Sequence, residues 1–132
     1  MLINQARKSV LVLESLKKMG VKLSIDDFGT GYSSLNYLKN LPIHALKIDK
    51  SFICDTPSHE GDCAIAKSII SLANNLRLDV IAEGVETLDQ LKFLQENGCS
   101  IIQGFYFSKP LDIDEFTAYV NAPNAKMEQT LF

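Results

Sequence analysis

Apolar residues in the opening segment recur at helical spacing, with Val10, Leu13 and Leu16 on one stripe and Leu2, Ala6 and Leu11 nearby. This pattern predicts a helix to about Met19, ended by Gly20. VKLSIDDF then reads as a strand, and Ser33 or Ser34 caps a short helix that runs through Leu41 and stops at Pro42. HALKIDKSF predicts a second strand. From Glu60 to Arg77 the residues Ile65, Ile69, Leu72, Ala73 and Leu76 mark one apolar stripe, hence another helix. DVIAEGV is a third strand, and the capping box TLDQ (Thr87, Gln90) opens a helix that ends at Gly98. IIQGFYF is a fourth strand, and DIDE (Asp112, Glu115) opens a last helix to about Asn121, followed by a frayed tail.

A helix followed by four strand-helix units predicts an α/β fold in which a parallel sheet is covered by helices. The strands are short and apolar, as strands buried on both faces should be. The 132 residues suffice for one domain with one core, and 46% hydrophobic with 22% charged residues indicates a globular chain. A net charge of -3 gives no electrostatic reason to expect a nucleic-acid duplex or an anionic membrane as partner. No apolar run approaches the ~18 residues of a membrane span. Cys54, Cys63 and Cys99 form no CxxC pair and read as small hydrophobes in a reducing, cytoplasmic compartment. His44 and His59 lack partners at ligand spacing.

Alternation along the strands places the chemistry. Leu46 and Ile48 point one way and Lys47 and Asp49 the other; Ser24 and Asp26 oppose Leu23 and Ile25; Val80 and Ala82 oppose Ile81 and Glu83; Gln103 follows Ile101. Each strand therefore brings a polar group near its carboxyl end, where parallel α/β folds bind ligands. Adjacent Asp26 and Asp27 can stay ionised together against a divalent cation, and hard oxygen ligands suit Mg or Mn. Glu83 is then a further ligand or the general base for a water, with Lys47 placing that water or balancing developing charge. Taken singly, the same residues have plainer uses. The two aspartates suit a turn, Lys47 and Asp49 a buried ion pair, Glu86 the first turn of a helix, and Gln103 a satisfied core amide.

The four motifs IDDFGTGYSSL, LKIDKSFI, VIAEGVET and IQGFYFSKPL, in this order and spacing, resemble the EAL family of cyclic di-GMP (c-di-GMP) phosphodiesterases over about residues 1–121. The resemblance implies the second half of a TIM-like (β/α)8 barrel, with about four parallel strands and covering helices, and residues 122–132 as a tail. It implies Mg or Mn and hydrolysis of c-di-GMP to linear pGpG. Asp26 and Asp27 are implied as metal ligands, Lys47 as the lysine that orients the attacking water, Asp49 as the acid beside it and Glu83 as general base or second-metal ligand. Glu86 and Gln103 are implied as supporting or substrate-contacting groups.

The resemblance also implies a Glu-Ala-Leu strand, an asparagine on the next strand and a following glutamate ligand, which find no counterpart in these 132 residues and are expected upstream of Met1. A complete barrel takes ~250 residues. The isolated chain is therefore expected to hydrolyse weakly or not at all, to expose an unpaired strand at each sheet edge, and to self-associate or pair with a separate amino-terminal half. The alternative is a truncated, non-catalytic c-di-GMP-binding or dimerising regulatory module. A Schiff-base role for Lys47 is a third, disfavoured by the acids around it.

Overall fold

The computed structural model of the chain describes residues 2–31 and 35–122, and side chains for all of these except 2–7, 36 and 37. The chain runs α1 (Leu2–Lys18), β1 (Ser24–Phe28), α2 (Leu35–Asn40), β2 (Ala45–Ile48), α3 (Glu60–Asn75), β3 (Asp79–Glu83), α4 (Leu88–Glu96), β4 (Ile101–Gln103) and α5 (Ile113–Asn121). The strands form one parallel sheet in chain order, β1-β2-β3-β4. The serines expected to cap α2 and most of the expected tail lie outside the described residues.

Strand register explains where the core sits. Leu46 pairs with Val80, and Ile48 with Ala82, which pairs with Ile102, so these side chains share one face. Leu46, Ile48 and Ala82 are fully buried there against Ala66, Ile70 and Ala73 of α3 and Leu91 and Leu94 of α4. Burying each Leu or Ile contributes roughly 1.5–3 kcal/mol. The opposite face carries Ser24, Asp26, Lys47, Ile81, Glu83, Ile101 and Gln103, and none of these residues is buried.

This corrects the expectation of strands buried on both sides. An apolar strand needs cover on one face only when the other face presents polar side chains, and that is the arrangement here. Both outer edges of the sheet, β1 and β4, lack a strand neighbour among the described residues. Beyond β4 a cleft of about 740 Å³ opens toward α5, lined by Ile101, Phe105, Leu111 and Phe116 among others. The apolar residues Ile113, Phe116 and Val120 of α5 are all exposed.

Two expected strands are shorter than their apolar runs. HALKIDKSF leaves the sheet after Ile48, because Asp49 accepts from the Ser51 amide at 2.9 Å and caps a 3₁₀ turn at Lys50–Phe52. IIQGFYF leaves it after Gln103, because the Tyr106 amide donates to the Val85 carbonyl at 2.9 Å and folds the chain over β3. Ile65 of the predicted α3 stripe is exposed, and Cys63, Ala66 and Ile70 join Ile69 and Ala73 inside instead. Cys63 and Cys99 are buried as small hydrophobes, but Cys54 is exposed. The Thr87–Gln90 and Asp112–Glu115 boxes both form, and His59 supplies the cap of α3 by accepting from Asp62.

At the carboxyl ends the loops lie too close for side chains. Gly84 has a φ of 73°, and a Cβ there would lie 2.5 Å from Cβ of Lys50. A Cβ at Gly104 would overlap the backbone of Val85, which cannot swing aside as a side chain could. Gly104→Ala is expected to lower stability in urea denaturation by at least about 2 kcal/mol, whereas an alanine in the open space at Gly31 changes it by less than about 0.5 kcal/mol.

Candidate active site

The site begins with a fault in register. Ile25 pairs with Leu46 and Phe28 with Ile48, so three steps along β1 match two along β2. Such a bulge sets two residues against one. Asp27 takes the left-handed φ of 50°, which aspartate tolerates better than most residues, and its amide donates to Asp26 Oδ1 at 2.9 Å. Strict alternation would turn Asp27 toward the core. The extra residue lets Phe28 take the core position and leaves both carboxylates exposed.

Lys47 projects from the middle of the open face. Its Nζ lies 3.3 Å from Asp26 Oδ1 and bonds Glu83 Oε1 at the end of the next strand. The Glu83 side chain is 17% exposed and that of Lys47 20%. Burial favours an uncharged lysine, but the bond to Glu83, seconded by Asp26, wins and holds the ammonium above the usual lysine range. A lysine kept protonated is a poor amine nucleophile, so the geometry lends a Schiff-base role no support.

Carboxylate oxygens of Asp26, Asp27 and Glu83 all lie within 4.8 Å of one another. Repulsion from Asp26, then burial, then Asp49 raises the Asp27 carboxyl above its ordinary value. Asp49 is held below the ordinary range, first by hydrogen bonds from Ser51 and also by one shared with Asp27. Four acids, with Lys47 against Asp26 and Glu83 and Lys50 near Asp49, form an all-oxygen, net-negative donor set, and three of them are close enough to share one ion. That set fits a hard divalent cation such as Mg or Mn.

The other predicted site residues lie around this cluster. Gln103 ends β4 directly across from Glu83 and lines the cleft toward α5. Glu86 sits exposed between β3 and α4, outside the metal-type cluster found among the described residues; its amide donates to Gln90 Oε1 at 2.8 Å. Lys47 and Asp49 share a face, but the ion pairs of Lys47 are with Asp26 and Glu83. The bulge is not visible in a pattern of alternation. The one local hint is the pair of aspartates followed by Phe28, an apolar residue one place late.

The EAL domain family model matches residues 2–110. The chain belongs to the EAL domain family. It is 52% identical over 115 residues to the cyclic di-GMP phosphodiesterase NbdA of Pseudomonas aeruginosa, which aligns with 87% of this chain and 15% of NbdA. It is 49% identical over 118 residues to the signaling protein YkoW of Bacillus subtilis, covering 89% of this chain and 14% of that protein. Its fold matches the P. aeruginosa MucR phosphodiesterase in complex with c-di-GMP with a TM-score of 0.80 and 48% identity, over 84% of this chain and 45% of that one. It also matches Klebsiella pneumoniae BlrP1, in a manganese and c-di-GMP complex, with a TM-score of 0.71 and 40% identity over 82% of this chain and 27% of that one. This EAL chain thus spans under half of the MucR structure and about a seventh of NbdA and YkoW.

Lys47→Met removes the partner of two carboxylates. Because both Lys47 and Glu83 keep some contact with water, the expected loss is about 1–2 kcal/mol rather than the larger cost of a fully buried pair. Glu83→Gln in the same chain recovers most of it, measured as a double-mutant cycle in urea near neutral pH. The raised Lys47 value sets the sign with pH: the contribution is fully present below the unfolded lysine value and is lost as pH rises through the folded one.

Proposed function

We propose that residues 1–121 form the carboxyl-terminal half of a metal-dependent phosphodiesterase domain that opens c-di-GMP to linear pGpG. The observation that carries this is the convergence of Asp26, Asp27 and Glu83 around Lys47 at the carboxyl end of a parallel sheet. Asp26 and Asp27 hold Mg or Mn, which relieves the repulsion that raises Asp27. A divalent ion there supplies Lewis acidity to a phosphoryl oxygen and acidity to a bound water.

The chain's own groups do the rest. Glu83 is placed to accept the proton of the attacking water or to complete a second metal site. Lys47, protonated and flanked by acids, orients that water and offsets charge growing on the phosphoryl oxygens. Asp49 stands beside Asp27 and keeps its shape through the Ser51 bonds. Gln103 and Glu86, on the rim, contact the nucleotide.

A half site needs its complement. The relatives' greater length and the two unpaired edges of this sheet support pairing with an amino-terminal half that brings the remaining ligands. A second copy is the weaker partner. A (β/α)8 ring has one helix per strand, whereas this four-strand unit carries five α-helices among the described residues, so two copies would bring ten helices to eight strands and would not supply the missing ligands. The second function, a regulatory binding module without turnover, is favoured by the open sheet face and the exposed apolar stripe of α5. No helix among the described residues is long and apolar enough to cross a membrane. Free thiols and a nucleotide substrate suit the cytoplasm.

The test compares hydrolysis of c-di-GMP with Mn2+ by this chain and by the chain extended through an amino-terminal half. The extended protein is expected to turn over and the short chain to be at least about a hundredfold slower, with Glu83→Gln abolishing the difference. Equal turnover by both sinks the half-site assignment, and binding without turnover by both favours the regulatory module.

A further inference from the structure

We propose that Gln90 is a positioning residue for the active site, clamping the β3–α4 loop onto the β2–α3 loop and so setting Glu83 against Asp27 and Asp49. The consequence for metal rests on the function proposed above; the clamp itself does not.

Gln90 is 5% exposed and uses both ends of its amide. Its Oε1 accepts from the Glu86 and Thr87 amides at 2.8 and 3.1 Å, and its Nε2 donates to the Cys54 carbonyl at 3.0 Å. The Thr87 bond belongs to a capping box, and the Glu86 bond, one residue earlier, stays within the same helix start. The third does not. It reaches 36 residues back in the chain, to a carbonyl on the far side of the 3₁₀ turn that Asp49 caps. A helix cap needs only an acceptor at this position, so glutamate would serve; the donor is explained by the second loop.

What the two loops carry makes the clamp matter. One begins at Asp49, which bonds Asp27, and continues into Lys50. The other begins at Gly84, directly after Glu83, and lies so near Lys50 that no Cβ fits between them. The contact of Lys50 with Gly84 and the bond of Gln90 to Cys54 fix the same two loops at two points. Glu83 must keep an oxygen within 4.8 Å of both Asp26 and Asp27 for the three to share an ion. A loop free to swing by an ångström would lose that geometry.

Gln90→Glu keeps the acceptors of the cap and removes the donor to Cys54. Thr87→Val does the reverse, weakening the cap while leaving the Gln90 amide in place. Two measurements on the whole chain separate them: the nuclear Overhauser contact between the Lys50 Cβ protons and the Gly84 Cα protons, without metal, and the affinity for Mn2+. Amide protection in α4 verifies folding in each variant. Gln90→Glu is expected to weaken the Lys50–Gly84 contact and to lower Mn2+ affinity about tenfold, while Thr87→Val lowers the melting temperature and leaves both unchanged. Persistence of the loop contact in Gln90→Glu overturns the clamp. An unchanged Mn2+ affinity despite a lost contact overturns the positioning role. If the unsubstituted chain binds no Mn2+, the metal function fails, and the loop contact alone decides for or against the clamp.

Discussion

Lys47 is the cation that bridges the acids at the carboxyl end of this sheet, and the arrangement there follows from its position. Its ammonium links Asp26 on β1 to Glu83 on β3 across the strand between them. Without it, Asp26 and Glu83 would lose their shared ion-pair partner, leaving Lys50 beside Asp49 as a lesser counter-charge. Even with it, the balance stays negative, and Asp27 bears the excess as a raised affinity for protons. A site that holds negative charge under strain in this way gains most from a divalent ion, because binding removes repulsion as well as adding attraction.

The sheet supports this site by being one-sided. Leu46, Ile48, Val80 and Ala82 pack it against α3 and α4 in one apolar core. The opposite face is thereby free to be polar. In a closed barrel this face would point inward and the edges at β1 and β4 would be joined. Here the same residues are open, and neither edge strand has a strand neighbour among the described residues. Ile113, Phe116 and Val120 of α5 are exposed as well, and a cleft opens beside β4.

Above the sheet, the loops are wired to their neighbours as well as to themselves. Lys50 meets Gly84, Cys54 meets Gln90, and Gly104 meets Val85. Each contact spans two strand-helix units. Short parallel strands set the direction of their carboxyl ends only coarsely, and these contacts supply the finer placement that a metal or phosphate site needs. Glycine appears where backbones touch, because any side chain would hold the loops apart.

Much of this was legible in the chain itself. The helical stripes, the capping boxes at Thr87 and Asp112, the alternation that sets Lys47 and Glu83 on one face, and the four motifs of the EAL family all depend on residues close together in sequence. Periodicity and capping are local physics, so sequence alone determined the order of elements, the parallel sheet and the residue types at its carboxyl end. The tertiary structure decided the rest. The bulge that keeps Asp27 beside Asp26 exists because Phe28 must reach the core formed with distant helices. The early ends of β2 and β4, the exposure of Ile65 and the bond from Gln90 to Cys54 were likewise settled by partners far along the chain. Which neighbour a residue meets across such a distance is a property of packing, and no local pattern encodes it.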